Sequence, residues 1–207
     1  MTDLEVAPHW TITSASAPDA DLPSRIVILP GPGFGSGAHE TTQMCLLAVR
    51  AFAPRGRAWR LLDFGCGSGI LSIAGVKLGG ASVAVEIDLA AQAHARANAG
   101  ANRAGDRIEI LTTLDQVPGV FDIVVANVLR DVLIASAGDL VRRLAPAGTL
   151  VLSGLVSTDV PAMIAHYSSH FGGARGASRC SPIVREGRRP DIYERGEWRA
   201  LVWRLAG

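Results

Sequence analysis

The sequence predicts an α/β protein built on a doubly wound, mainly parallel sheet of seven strands with an antiparallel final strand. Three observations predict it. Short apolar runs alternate with helical patterns from Trp59 to Phe171. A glycine-rich turn, Gly65-Cys66-Gly67-Ser68-Gly69, joins the first of these runs to its helix. The last two apolar runs have no helix between them, as in an antiparallel pair.

Residues 1–24 are polar and weakly patterned, with Pro8, Pro18 and Pro23. They predict an irregular lead-in or a short strand, and 25–207 the domain proper. Arg25 to Leu29 reads as a short strand stopped by Pro30, and Gly31 to Gly37 as a glycine-rich loop. Glu40 to Ala53 has helical spacing of Met44, Leu47 and Val49, with a cap near His39 or Glu40. Trp59 to Phe64 is the first strand of the main sheet. Its helix, Ile70 to Leu78, ends at Gly79-Gly80. Ser82 to Ile87 is the second strand, and Asp88 caps the helix that runs to about Arg103. Arg107 to Leu111 and Phe121 to Ala126 are the third and fourth strands. The fourth is a continuous apolar run, as a central parallel strand requires. A helix from about Asp131 to Leu144 ends at Pro146 and Gly148, and Thr149 to Ser153 is the fifth strand. Val160, Met163, Ile164, Tyr167 and Phe171 mark one face of a helix. Ser178 to Leu205 holds the last two strands, the second being Trp198 to Leu205.

Composition narrows the function. The chain has 207 residues, the size of one generous α/β domain, and 48% of them are hydrophobic, enough for a sizeable core. A net charge of +1 supplies no global field for nucleic acid. No apolar run reaches the length of a membrane span, and Met1 to Asp21 lacks the apolar stretch of a signal peptide. Cys45, Cys66 and Cys180 form no C-x-x-C pair, which suits a reducing cytoplasm. Oligomeric state is not legible.

The chemistry concentrates at the carboxyl ends of the first, second and fourth strands, the switch point of such a sheet. Gly65, Gly67 and Gly69 allow a tight turn and close approach of a cofactor to the backbone. A dinucleotide site wants G-x-G-x-x-G; here the third glycine comes one residue early. Glu86, at the end of the second strand, offers two acceptors to a ribose diol. This G-x-G-x-G turn with its acid resembles the Rossmann-like fold of class I S-adenosylmethionine (SAM) methyltransferases. A NAD-dependent enzyme is the weaker reading.

Four stretches resemble one family of that class, the ribosomal protein L11 methyltransferases. They are Phe34-Gly35-Ser36-Gly37-Ala38-His39-Glu40-Thr41-Thr42, Asp63 to Leu71, Val124-Val125-Ala126-Asn127-Val128-Leu129 and Leu150-Val151-Leu152-Ser153-Gly154. Glu197-Trp198 followed by Leu201-Val202 is similar to the family's last strand. The resemblance runs from about Ile26 to the end. It implies a SAM-dependent N-methyltransferase, with S-adenosylhomocysteine as product. It also implies a cofactor site of Phe34, Thr42, Asp63, Gly65, Gly67, Gly69, Glu86 and Asn127, with Asn127 and His39 as the catalytic candidates and no metal. Thr42 matches the threonine that touches the cofactor, Gly65 the glycine under its amino-acid moiety, and Glu86 the ribose acid, usually aspartate. Asn127 matches the asparagine beside the reactive methyl.

The family's founding enzymes carry a separate N-terminal domain that grips the ribosomal substrate. About thirty residues precede the Phe34 loop, too few for such a domain. Recognition of the acceptor is therefore expected from the lead-in, the Phe34–His39 loop and the Arg185–Arg189 segment. The loop's glycines are expected to let it close over bound cofactor. The acceptor implied is a protein amino group; a small molecule, or binding without turnover or with a partner chain supplying recognition, are the alternatives. Asn127 begins Asn127-Val128-Leu129-Arg130, without the aromatic that stacks on a flat base, which weighs against nucleobases.

Other residues carry a plainer reading beside the functional one. His39 either orients or deprotonates the acceptor, or fixes its loop by hydrogen bonds. Phe34 either packs on the cofactor or anchors the loop. Asn127 could simply close a turn. Cys66 has no base partner in sequence and reads as a small packed residue. His166 and His170 have the spacing of metal ligands on a helix, but no acid completes a site and a surface or structural pair is the better reading.

Overall fold

In the computed structural model, residues 3–6, 10–14, 22, 24–171 and 189–205 are described. Three strands precede the main domain elements: β1 (Leu4–Val6), β2 (Trp10–Thr13) and β3 (Arg25–Val27). They form a small sheet in the order β1-β2-β3, with β2 antiparallel to β1 and parallel to β3. Two strands thus stand where the sequence predicts an irregular segment or one short strand. Val6, Trp10 and Ile12 are buried in one cluster with Leu46, Val49 and Ile73, so this segment contributes to the core of the main body.

The main body follows as α1 (Glu40–Phe52), β4 (Arg60–Phe64), α2 (Ile70–Lys77), β5 (Ala81–Val85), α3 (Leu89–Ala101), β6 (Ile108–Leu111), β7 (Phe121–Asn127), α4 (Arg130–Arg142), β8 (Leu144–Val156), α5 (Val160–Phe171), β9 (Asp191–Arg195) and β10 (Trp198–Arg204). The sheet has seven strands in the order β6-β5-β4-β7-β8-β10-β9. Neighbours from β6 to β8 are parallel, and β10 lies antiparallel between β8 and β9. The antiparallel pair expected from the missing helix is present, and β10 also pairs with β8.

Each strand alternates its side chains between the two faces. Leu61, Ile123, Val125, Val151 and Val202 pack under α1 and α2. Leu62, Val124, Ala126, Leu150 and Leu152 pack with Leu133, Leu140, Met163 and Tyr167 of α4 and α5. The helix face predicted from Val160 to Phe171 packs here, and Tyr167 donates its hydroxyl hydrogen to the Leu133 carbonyl at 2.7 Å.

The strand expected at Thr149 begins earlier, at Leu144. Leu144 pairs with Phe121 and Thr149 with Ile123, so the residues between, Pro146 and Gly148 among them, form an irregularity inside β8. Proline and glycine break the ladder without ending the strand.

A polar row on α3 fastens the small sheet. His94, Asn98 and Asn102 lie four residues apart and face one way. Asn102 accepts from the Val27 N–H at 2.9 Å and donates to the Val27 carbonyl at 2.6 Å. Asn98 accepts from the Leu29 N–H at 2.9 Å and donates to the Ser68 carbonyl at 2.8 Å. Asn102→Ala leaves both buried groups of Val27 unpaired and is expected to destabilise the fold by about 2 kcal/mol. Thermal unfolding should show Tm lower by roughly 4–8 °C; an unchanged Tm would mean that this pairing does not anchor β3.

Candidate functional site

Parallel strands deliver their carboxyl ends to one edge, and the order reverses between β4 and β7. A cavity of about 830 Å³ opens there. Gly65 and Gly67 form its floor, Val85 and Glu86 one side, and Asn127, Val128 and Leu129 the other. Phe34 and His39 come over it from the loop before α1, and Trp198 from the start of β10.

The glycine turn is shaped by sterics. Gly65 and Gly67 have φ of 71° and 53°. A Cβ on Gly67 would stand 2.4 Å from the Phe34 carbonyl oxygen, and one on Gly65 would stand 2.2 Å from Val128 Cγ1. Glycine at both positions brings the covering loop and the end of β7 onto the turn.

Glu86 ties the turn to β5. Its Oε2 accepts from the Gly67 N–H and its Oε1 from the Asp88 N–H, both at 3.0 Å. The extra methylene over aspartate gives the side chain this reach, and each oxygen keeps a lone pair for a ligand hydroxyl. Asp88 caps α3 by accepting from the Ala90 and Ala91 N–H groups.

Asp63 is placed differently. It is 1% exposed and does not line the cavity. Its Oδ2 accepts from the Ser72 N–H at 3.0 Å and the Ser72 hydroxyl at 2.8 Å, which fixes the first turn of α2 behind the glycine turn. Burial pushes its carboxyl up to about 6. Gly69, the left-handed cap of α2, also lies off the wall beside Ala95. Thr42 is buried as well, one step behind Asn127, whose Nδ2 donates to Thr42 Oγ1 at 3.4 Å. That bond uses one of the two Nδ2 hydrogens, and Oδ1 is the atom of Asn127 that can accept. Phe34, Gly65, Gly67, Glu86, Asn127 and His39 therefore meet at one cavity, while Thr42, Asp63 and Gly69 stand behind its wall.

His39 is the N-cap of α1. Its Nδ1 accepts from the Thr41 N–H at 3.3 Å and lies 2.8 Å from Thr41 Oγ1. Its ring meets Phe34 and Trp198 edge to face, with centroids 5.5 Å and 5.0 Å away. His39 and Glu86 are the two ionisable side chains among the described lining residues.

The covering loop, expected from its glycines to close over bound cofactor, is tied to its surroundings by three hydrogen bonds. The Phe34 carbonyl accepts from the Ser68 N–H at 2.8 Å, and the Gly35 carbonyl from the Ser68 hydroxyl at 2.6 Å. The Gly33 N–H donates to His94 Nδ1 at 3.1 Å. Gly33 also allows close approach to the turn, since a Cβ there would stand 2.7 Å from the Gly67 carbonyl carbon. Of the Arg185–Arg189 segment, Arg185 and Arg188 lie outside the described residues, as does Cys180.

Cys66 does not line the cavity, and burial pushes its thiol up, so it is held protonated. His166 and His170 stack edge to face at 5.0 Å, and His166 Nε2 lies 3.2 Å from the Ile134 carbonyl. Sequence reasoning missed Trp198 as a lining residue, together with Thr112, Thr113, Leu114 and Ser136. The threonines directly follow β6, so the strand-end rule could have found them. His94 was also missed; its spacing from Asn98 and Asn102 was the available signal.

The residues present fit a SAM-sized ligand. The floor brings glycine backbone to the cavity surface, Glu86 offers oxygens for a diol, and the volume suits a ligand of that class.

Comparisons with known proteins bear on the family and the fold. A curated relative, the ribosomal protein L11 methyltransferase of Geobacter sulfurreducens, is 38% identical over 203 residues, covering 96% of this chain and 61% of the relative. The enzyme of that name from Pelobacter propionicus is 39% identical over 183 residues, 86% of this chain and 54% of its own length. The chain thus spans somewhat more than half the length of these relatives. Among solved structures, the ribosomal protein L11 methylase of Lactobacillus delbrueckii subsp. bulgaricus superposes with a TM-score of 0.77 at 24% identity, covering 98% of this chain and 97% of that one. A precorrin-6y C5,15-methyltransferase from Geobacter metallireducens shares the fold, with a TM-score of 0.61 at 15% identity over 83% of this chain and 92% of its own. The profile of the family described as ribosomal protein L11 methyltransferase (PrmA) matches residues 2–179, which take in the glycine turn, Glu86 and Asn127, and the chain belongs to that family.

Proposed function

We propose that this chain is a SAM-dependent N-methyltransferase of the cytoplasm that acts on a protein amino group. The observation that carries the reading is the position of Asn127. It ends β7, which lies in the sheet between β4 with its glycine turn and the β8–β10 side from which Trp198 comes, with Oδ1 left to accept. When bound, SAM supplies a methyl group made electrophilic by its sulfonium.

The chain's own residues do the rest. Glu86 accepts from the ribose hydroxyls, and the backbone of Gly65 and Gly67 receives the amino-acid end. Asn127 Oδ1 accepts a hydrogen bond from the acceptor N–H and aims the nitrogen lone pair at the methyl. Thr42 holds the Asn127 amide, and Asp63 holds the helix start behind the turn. Phe34, Ile87, Leu129 and Val132 ring the mouth with exposures of 57%, 80%, 76% and 41%. Such an apolar rim around a reactive mouth suits a polypeptide better than a small polar acceptor. Among the described residues, no helix is long and apolar enough to cross a membrane.

Incubation with methyl-labelled SAM and whole lysate should place label in the protein fraction. Label confined to the small-molecule fraction would reassign the acceptor, and no transfer in either would remove the catalytic reading. Titration calorimetry should show binding of SAM and S-adenosylhomocysteine and none of NAD. Glu86→Ala should weaken SAM binding by on the order of 2 kcal/mol through lost charge-assisted hydrogen bonds; unaltered affinity would take Glu86 out of the site.

A further inference from the structure

An amine acceptor must be uncharged to attack a sulfonium methyl, and something must take its proton. His39 is the one basic side chain among the described lining residues. The helix cap decides what it can do. A backbone N–H is always a donor, so the cap from Thr41 N–H at 3.3 Å turns the Nδ1 lone pair to the helix, and the Thr41 hydroxyl at 2.8 Å, which can donate as well as accept, then donates to the same atom. The neutral ring then carries its hydrogen on Nε2. Among the described residues, Nε2 makes no hydrogen bond to the protein, and it is not among the buried unpaired atoms. The ring lies between Phe34 and Trp198, and a half-turn about χ2 keeps its plane there but puts Cδ2 in place of Nδ1 and so loses the cap.

We propose that His39 presents a fixed Nε2–H donor to the acceptor site and is a positioning residue, not the base. This rests on the methyl-transfer reading above. The acceptor amine enters already uncharged, with its proton left in solvent. The Nε2–H binds a carbonyl oxygen of the docked acceptor and leaves the nitrogen lone pair for the methyl.

The charges agree with this. A protonated acceptor would bring a second cation against the sulfonium. The one carboxylate on the described wall, Glu86, is bonded to the Gly67 and Asp88 amides and gives its remaining lone pairs to the ribose in the reading above. The amine lone pair forms the new N–C bond while the C–S bond breaks and its electron pair stays on sulfur. The positive charge passes to nitrogen, and the methylated ammonium then loses its proton to water. The carboxylate nearest the His39 ring is Glu40, with Oε2 4.0 Å from Nδ1, and the ring's other neighbours, Phe34 and Trp198, are uncharged.

Two measurements test this. Nitrogen-15 NMR of the imidazoles, with His39 assigned by its loss in His39→Asn, should show hydrogen on Nε2 and none on Nδ1 in the protein without ligand. The opposite tautomer would overturn the proposal whether or not methyl transfer occurs. In the labelled-SAM assay with a lysine peptide as acceptor, His39→Asn keeps a capping oxygen but cannot take a proton. It should raise KM about tenfold while the rise of kcat/KM with pH still follows the acceptor amine. A fall in kcat of roughly 10²–10⁴-fold, with loss of an ionisation from the profile, would make His39 the base. Absence of turnover in the unaltered chain would instead strike at the methyl-transfer reading and leave the tautomer result standing.

Discussion

Asn127→Ala is expected to lower kcat by roughly 10²–10³-fold, the loss typical of a reacting group no longer held in line or of one missing transition-state hydrogen bond. SAM affinity should change far less. The amide bonds Thr42 on one side, which leaves Oδ1 for the acceptor. Removing it frees the nitrogen lone pair from its alignment but leaves the glycine floor and Glu86 intact. Single-turnover kinetics would report the rate and calorimetry the affinity. Losses of equal size in both would reduce Asn127 to a cofactor clamp or a turn residue. Thr42→Val should show a weaker form of the same pattern, because it removes the hydroxyl that sets the amide's orientation and keeps the packed volume.

The parts of this site legible in the sequence are those that stand at strand ends. The turn after β4, Glu86 after β5 and Asn127 at the end of β7 each follow an apolar run whose length and pattern declare a buried strand. A doubly wound sheet brings those ends together whatever the rest of the chain does. Motif matching alone does not separate wall from support. Asp63, Thr42 and Gly69 belong to the same motifs as Gly65 and Asn127, yet Asp63 and Gly69 set the start of α2 and Thr42 sets an amide. The spacing that selects a residue for contact also selects the neighbour that holds it.

What the sequence hid depends on distant partners. Trp10 sits in a run of four strand residues, too short for a period to show, and its burial is decided by α1 and α2. His94, Asn98 and Asn102 are polar residues on a helix whose outer face would be polar in any case; their function appears only with Val27, Leu29 and Gly33 opposite. The covering loop has two readings for a related reason. Glycine signals either freedom or close approach, and local sequence does not distinguish them. Here Gly67 of the turn lies against the Phe34 carbonyl and Gly33 of the loop against Gly67, so close approach is one use of these glycines.

Asp63 should leave a signature in stability against pH. Its carboxyl titrates near 6 in the folded chain, chiefly through burial, against 3.8 for the ordinary group. The two Ser72 bonds favour the charged form but do not offset the loss of water. Below about pH 4 the group is protonated in folded and unfolded chains alike and favours neither. As pH rises from about 4 to about 6, the folded chain retains a proton that the unfolded chain gives up, so stability falls. Above about 6 both forms are ionised and the deficit stays constant, on the order of 3 kcal/mol at most. Asp63→Asn keeps an oxygen for Ser72 and has no charge to bury. It should flatten this part of the pH profile, matching the unaltered chain near pH 4 and exceeding it in denaturant midpoint at pH 8. If Asp63→Asn were instead less stable by the same amount at every pH, the hydrogen bonds to Ser72 would outweigh desolvation, and the raised carboxyl would be the wrong description. The first outcome has a bearing on function. An acid that weakens the fold in its ionised form, directly behind a turn proposed to hold a cationic ligand, is further compensated when that positive charge arrives. The stabilisation by SAM should then be larger at pH 8 than at pH 5 in the unaltered chain, and closer to equal at the two values in Asp63→Asn.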